Sequence, residues 1–72
     1  MKTEQLITMA NQIGAFFKPY PDQVQVQKDI ARHLNRYWAL AMRKQIAQHV
    51  QEQAGTGLEE NVIEAIKLHV KL

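Results

Sequence analysis

Between Asp22 and Gln53 the chain contains no proline and no glycine. Ala39, Leu40 and Ala41 at the centre of that stretch are strong helix formers, so propensity alone carries one helix through to Met42, Ile46 and Val50. At 1.5 Å per residue a helix of roughly 30 residues is about 45 Å long. With 72 residues in all, the segments on either side are too short to cover such a rod. Compactness therefore requires a bend near Ala39, while local sequence leaves helices two and three free to be continuous.

The breakers stand on both sides of this stretch. In Lys18-Pro19-Tyr20-Pro21 the prolines push the preceding residues out of the helical region and remove backbone donors, which ends the first helix. Before them, Leu6, Ala10, Ile13 and Phe17 recur at helical spacing, and Met9 and Phe16 widen the apolar face. Thr3 reads as the N-cap, with Glu4 in the positive first turn. Gly14 costs a helix about 1 kcal/mol relative to Ala and marks a close helix crossing. After the prolines, Asp22 and Gln25 form a capping-box variant, and Val26, Ile30, Leu34 and Tyr37 step along one face with Ala31 and Trp38 beside it. Ala54-Gly55-Thr56-Gly57 is the flexible linker. Beyond it, Leu58-Glu59-Glu60 opens a last helix in which Val62, Ala65, Ile66, His69 and Val70 keep the period. The expectation is an all-α single domain over 1–72, a small bundle of three to four helices at about 3–17, 22–38, 40–53 and 58–70.

Such a chain sits near the lower size at which one core suffices, since about 60 residues bury only roughly 60% of their unfolded surface. It has no cysteine, which removes disulfide staples and thiolate metal sites together. No run of about 18 apolar residues spans a membrane, and the start of the chain turns amphipathic without a signal-peptide core, so a cytoplasmic location is expected. The net charge of +2 is small but uneven. Residues 1–53 hold seven Lys/Arg against four Asp/Glu, giving +3, and residues 54–72 hold two against three, giving −1.

Histidines 33, 49 and 69 are sixteen and twenty residues apart, and none has a second histidine one turn away to build a ligand set, so they read as half-buried helix residues. No phosphate loop, nucleophile triad or paired carboxylate appears, so no catalytic, cofactor-binding or metal-binding residue is assigned. The positive signal is excess apolar surface. Adjacent helix residues point about 100° apart, so Phe16 and Phe17 cannot both face one small core, and neither can Tyr37 and Trp38. One member of each pair left at the edge makes a partner interface, unless a broad bundle buries both. Trp38, with Leu34 and Met42 one turn away on either side, is assigned to the core. Partner contacts are assigned to Asn11, Phe16, Arg36, Tyr37, Met42 and Arg43, although Asn11 also reads as a solvated or locally bonded residue. Lys28, Arg32 and Arg36 form a basic row at i+4 spacing, read first as a solvated face and second as a patch for phosphate or acidic surface. Arg43 and Lys44 extend it in an alternative reading, a small helical nucleic-acid binder, which the near-neutral charge disfavours. Spare apolar surface also allows a homodimer of the isolated chain.

Two motifs carry a resemblance. Met9-Ala10-Asn11-Gln12-Ile13-Gly14-Ala15-Phe16-Phe17 is similar to the opening of the delta subunit of NAD-dependent, molybdenum-containing formate dehydrogenases. Asp29-Ile30-Ala31, His33-Leu34, Arg36-Tyr37-Trp38 and Met42-Arg43 resemble that family's middle motif, and the Gly-rich linker with Gly57-Leu58 fits its end. The resemblance covers nearly the whole chain. It departs at Ala39, Leu40 and Ala41, where the family commonly has an acidic residue, Pro and Arg; that Pro would supply the helix break. The resemblance implies a non-catalytic accessory subunit of a cytoplasmic complex, supporting its assembly, stability or activity by protein contact. Its implied partners are the catalytic molybdenum-containing subunit and the iron-sulfur and flavin subunits, with no nucleic acid and no membrane.

Overall fold

The computed structural model describes residues 1–72 and contains four helices and no strand: α1 (Thr3–Phe17), α2 (Gln23–Tyr37), α3 (Leu40–Gln53) and α4 (Glu60–His69). The breaker-free stretch is thus two helices. Trp38 leaves the helix in an extended conformation while its N–H still donates to the Leu34 carbonyl at 3.0 Å. Ala39 is also extended, at φ −58° and ψ 151°, and its carbonyl accepts the N–H groups of Met42 and Arg43 at 3.0 and 3.1 Å to start α3. Both conformations lie in the region open to any L-residue, so the break needs neither proline nor glycine. Its consequence is compactness: the longest dimension of the molecule is 31 Å, well short of the continuous rod.

The same break changes how the central apolar residues meet. Leu34, Trp38 and Met42 do not form one helical ridge, because the helix stops between them; Leu34 closes α2, Trp38 occupies the joint and Met42 belongs to α3. All three nevertheless serve one core, Leu34 and Trp38 buried and Met42 packed against them half-exposed. The core is completed by Leu6 and Ala10 of α1, Val26, Ile30 and Ala31 of α2, Ile46 and Val50 of α3, Leu58, and Val62, Ala65 and Ile66 of α4. Nearly all of these are the residues that recur at helical period, which is why each helix turns one stripe inward.

Close approach and polar ties set how the helices cross. At Gly14 an added Cβ would stand 2.6 Å from Val62 Cγ2, so α1 and α4 cross where only glycine fits. α2 and α4 make the most extensive pair. Asn61 of α4 ties it down, accepting from Gln27 Nε2 at 3.0 Å and donating to Gln23 Oε1.

The caps differ in part from the sequence reading. Lys2, not Thr3, is the N-cap of α1; its backbone N–H donates to Gln5 Oε1 at 3.3 Å, while the Thr3 hydroxyl accepts from Gln45 Nε2 of α3 at 3.0 Å. Thr3 is drawn into a contact between helices, which propensity does not register. Asp22 caps α2 by accepting the Gln25 N–H at 3.2 Å, but the Gln25 amide reaches forward to Asp29 at 2.9 Å, so only half of a capping box forms. α3 ends at Ala54 in the left-handed conformation, φ 56°, followed by Gly55 at φ 71° and Gly57 at φ 89°. α4 begins at Glu60 with Glu59 as its N-cap, because Leu58 turns into the core. No helix is long and apolar enough to cross a membrane.

Candidate functional site: an aromatic groove between α1 and α2

Each aromatic pair splits as helical geometry requires. Phe16 is 70% exposed and Phe17 packs half-buried against the core; Tyr37 is 66% exposed and Trp38 only 6%. What the sequence alone does not show is that the two exposed members converge. Phe16 from the end of α1 and Tyr37 from the end of α2 line one surface groove of about 590 Å³ with Met9, Ile13 and Phe17 as further apolar walls. The Phe16 and Phe17 rings meet edge to face with centroids 5.0 Å apart, which holds Phe16 upright although it is exposed. His33, one turn before Tyr37, packs against it with the rings tilted by 47° and centroids 4.8 Å apart, and the Arg36 guanidinium lies 5.5 Å from the Tyr37 ring centre. The groove is therefore apolar at its centre with a cationic group at its rim.

Most of the remaining candidates lie elsewhere. Asn11 is half-buried, and both ends of its amide are used within the chain: Nδ2 donates to the Gly57 carbonyl at 2.8 Å and Oδ1 accepts the Glu59 N–H at 2.9 Å. It clamps the α3–α4 linker to α1 and serves the start of α4. Met42 packs on the core. Arg43 reaches across to the end of α4, where its guanidinium donates to the Lys71 carbonyl at 2.8 Å. Of the six residues proposed for partner contact, Phe16, Arg36 and Tyr37 thus stand together, and Asn11, Met42 and Arg43 stand apart.

Met9, Ile13 and His33 complete the groove beyond the residues that the sequence assigns to partner contact. Their signal was available in the sequence, since Met9 and Ile13 lie at i−7 and i−3 from Phe16 and His33 lies at i−4 from Tyr37. The histidines do not gather: His33 packs against Tyr37, His49 donates its Nε2 proton to the Thr56 carbonyl at 2.7 Å, and the His69 carbonyl accepts from Asn35 at 3.1 Å. No three His, Asp or Glu side chains come together as a metal site.

Comparison with known proteins gives one match. The family model described as NADH-dependent formate dehydrogenase delta subunit FdsD matches residues 5–66. That span contains α1 from its first turn, both arms of the aromatic groove, the linker and most of α4. No curated protein and no solved structure matches the chain. With all but the first four and last six of its 72 residues inside the match, the chain belongs to the family of NADH-dependent formate dehydrogenase delta subunits.

Proposed function

We propose that this chain is a non-catalytic accessory subunit of a cytoplasmic formate dehydrogenase, and that it docks through the α1–α2 groove on the molybdenum-containing catalytic subunit beside the iron-sulfur and flavin subunits. The observation that carries the proposal is the convergence of two highly exposed aromatic rings, Phe16 and Tyr37, in one groove of a chain whose family is defined by such a complex. Solvent-exposed rings held in place by neighbours lose little conformational freedom on docking, and buried interface aromatics are the residues whose truncation typically costs about 2 kcal/mol or more. Arg36 at the rim supplies a partner carboxylate with a directional contact. The role assigned is support of assembly, stability or activity by contact alone.

The test is co-expression of the tagged chain with the other subunits. The wild-type chain is expected to co-purify with them, and the Phe16→Ala/Tyr37→Ala variant to be recovered folded but alone. Recovery of the double variant with the full complex, or a complex equally active and stable without any delta subunit, would overturn the proposal. In isolation the same groove is free to close against a second copy; light scattering over a dilution series reads that directly.

A further inference from the structure

The basic row of α2 does not end as a solvated stripe. Lys28, Arg32 and Arg36 form one wall of an open groove of about 490 Å³, and Arg43 of α3 and Lys71 beyond α4 form the other. His69 also lines it, and no Asp or Glu does. The one ion pair in the molecule, Arg32 to Asp29 at 3.5 Å, is on its edge, and the Arg32 side chain is still 72% exposed. Five cations thus converge with almost no internal counter-charge in a chain whose net charge is only +2. Like charges brought together repel, so an anion bound among them would relieve that repulsion.

The form of the groove narrows the class of anion. Part of its floor is already hydrogen-bonded: Asn35 accepts the Lys71 N–H at 2.7 Å and donates to the His69 carbonyl, while Arg43 donates through one terminal nitrogen to the Lys71 carbonyl and keeps its buried Nε unpartnered. The His69 and Lys71 carbonyls thus occupy this end of the open groove, and the contact points left for a ligand are the side chains along the walls rather than one closed pocket for a compact anion such as phosphate. The free charges stand instead along the walls, with Lys28, Arg32 and Arg36 spread over roughly 12 Å of helix at 1.5 Å per residue. A ligand carrying several negative groups in a line fits that spacing. Ala31 is the one apolar residue lining the groove, and no Phe, Tyr or Trp lines it, so apart from the single imidazole of His69 it offers no series of platforms on which the successive bases of a single-stranded nucleic acid would stack.

We propose that this groove binds an acidic polypeptide segment of a partner protein, its Glu or Asp carboxylates pairing with Lys28, Arg32, Arg36 and Lys71. Arg32 and Arg36 also border the surface beside Phe17, His33 and Tyr37, so a protein seated on the aromatic groove is able to run such a segment along the far side of α2. The basic groove acts on carboxylates whether or not the aromatic groove docks the catalytic subunit, and the two are separable by experiment.

The experiment is fluorescence anisotropy of a labelled oligoglutamate peptide with the isolated full chain at low salt. Binding is expected, and it should weaken steeply as ionic strength rises. The Lys28→Gln/Arg32→Gln/Arg36→Gln variant should lose about ten-fold in affinity, the scale of three exposed ion pairs. Its melting temperature should not fall, since the substitutions relieve repulsion. The Lys2→Gln/Lys18→Gln/Lys44→Gln variant removes the same charge from exposed positions outside the groove and should retain affinity within about two-fold. The Phe16→Ala/Tyr37→Ala variant should bind the peptide as wild type does. Equal losses in the two lysine- and arginine-depleted variants would reduce the effect to net charge and overturn the proposal. So would the absence of binding at low salt, or tighter and equally variant-sensitive binding of a single-stranded oligonucleotide or inorganic pyrophosphate.

Discussion

Trp38 and Tyr37 are neighbours in sequence with opposite structural roles, and truncating each in turn separates the core from the docking surface. Trp38 is 6% exposed at the joint between α2 and α3, within the core cluster that includes Leu34, Ile46 and Ile66. Replacing a buried large aromatic with alanine typically costs about 3–5 kcal/mol, from lost transfer free energy and from the cavity left behind. A chain of this length is stabilised by roughly 4–11 kcal/mol at 0.05–0.15 kcal/mol per residue, so the loss removes about a quarter of the stability or more. At about 4–8 °C per kcal/mol for a domain of this size, Trp38→Ala should lower the melting temperature by at least about 12 °C, or leave the chain unfolded. Tyr37, 66% exposed, should tolerate alanine within about 0.5 kcal/mol. Thermal melts followed by circular dichroism read both. A Trp38→Ala melt within a few degrees of wild type would refute the core assignment, and a Tyr37→Ala melt as low as that of Trp38→Ala would refute the division of roles.

Three further substitutions test individual features of the fold. Asn11→Ala removes the bonds to the Gly57 carbonyl and from the Glu59 N–H, both at the surface, and should cost about 0.5–1.5 kcal/mol by chemical denaturation; an unchanged midpoint would mean that water replaces the amide freely. Gly14→Val drives a side chain into Val62 at the α1–α4 crossing and should cost about 2 kcal/mol or more, despite the gain of losing a helix glycine, with a wild-type melt contradicting the close approach. Ala54→Gly relieves the left-handed residue that ends α3 and should raise stability by about 0.5–1 kcal/mol, seen as a melting temperature a few degrees higher.

These contrasts show where the sequence was readable. Pro19, Pro21, Gly55 and Gly57 act locally on the backbone, and the apolar residues at helical period act through one face, so the first helix, the last helix and the helical stretch between them followed from these residues, while the count stayed at three to four. The break after Tyr37 is different in kind. No residue at 38 or 39 forbids a helix, and what ends it is the core that Trp38 enters once α3 folds back, a tertiary gain invisible to propensity. Thr3 failed as a cap for a related reason, since Gln45 of a distant helix recruits its hydroxyl. At the candidate site, the exposure of one ring from each aromatic pair followed from the 100° step of the helix. Their meeting in one groove depended on the crossing of α1 with α2, and the internal use of Asn11 depended on a linker 46 residues away.

The most direct measurement of the central claim is site-specific cross-linking in the assembled complex, with Phe16 replaced by a photoreactive phenylalanine analogue. Irradiation is expected to join the chain to the molybdenum-containing subunit through the groove, while the same analogue at Gln51, exposed on α3 and outside the groove, yields no such product. Cross-linking from position 51 to that subunit with none from position 16 would contradict the account.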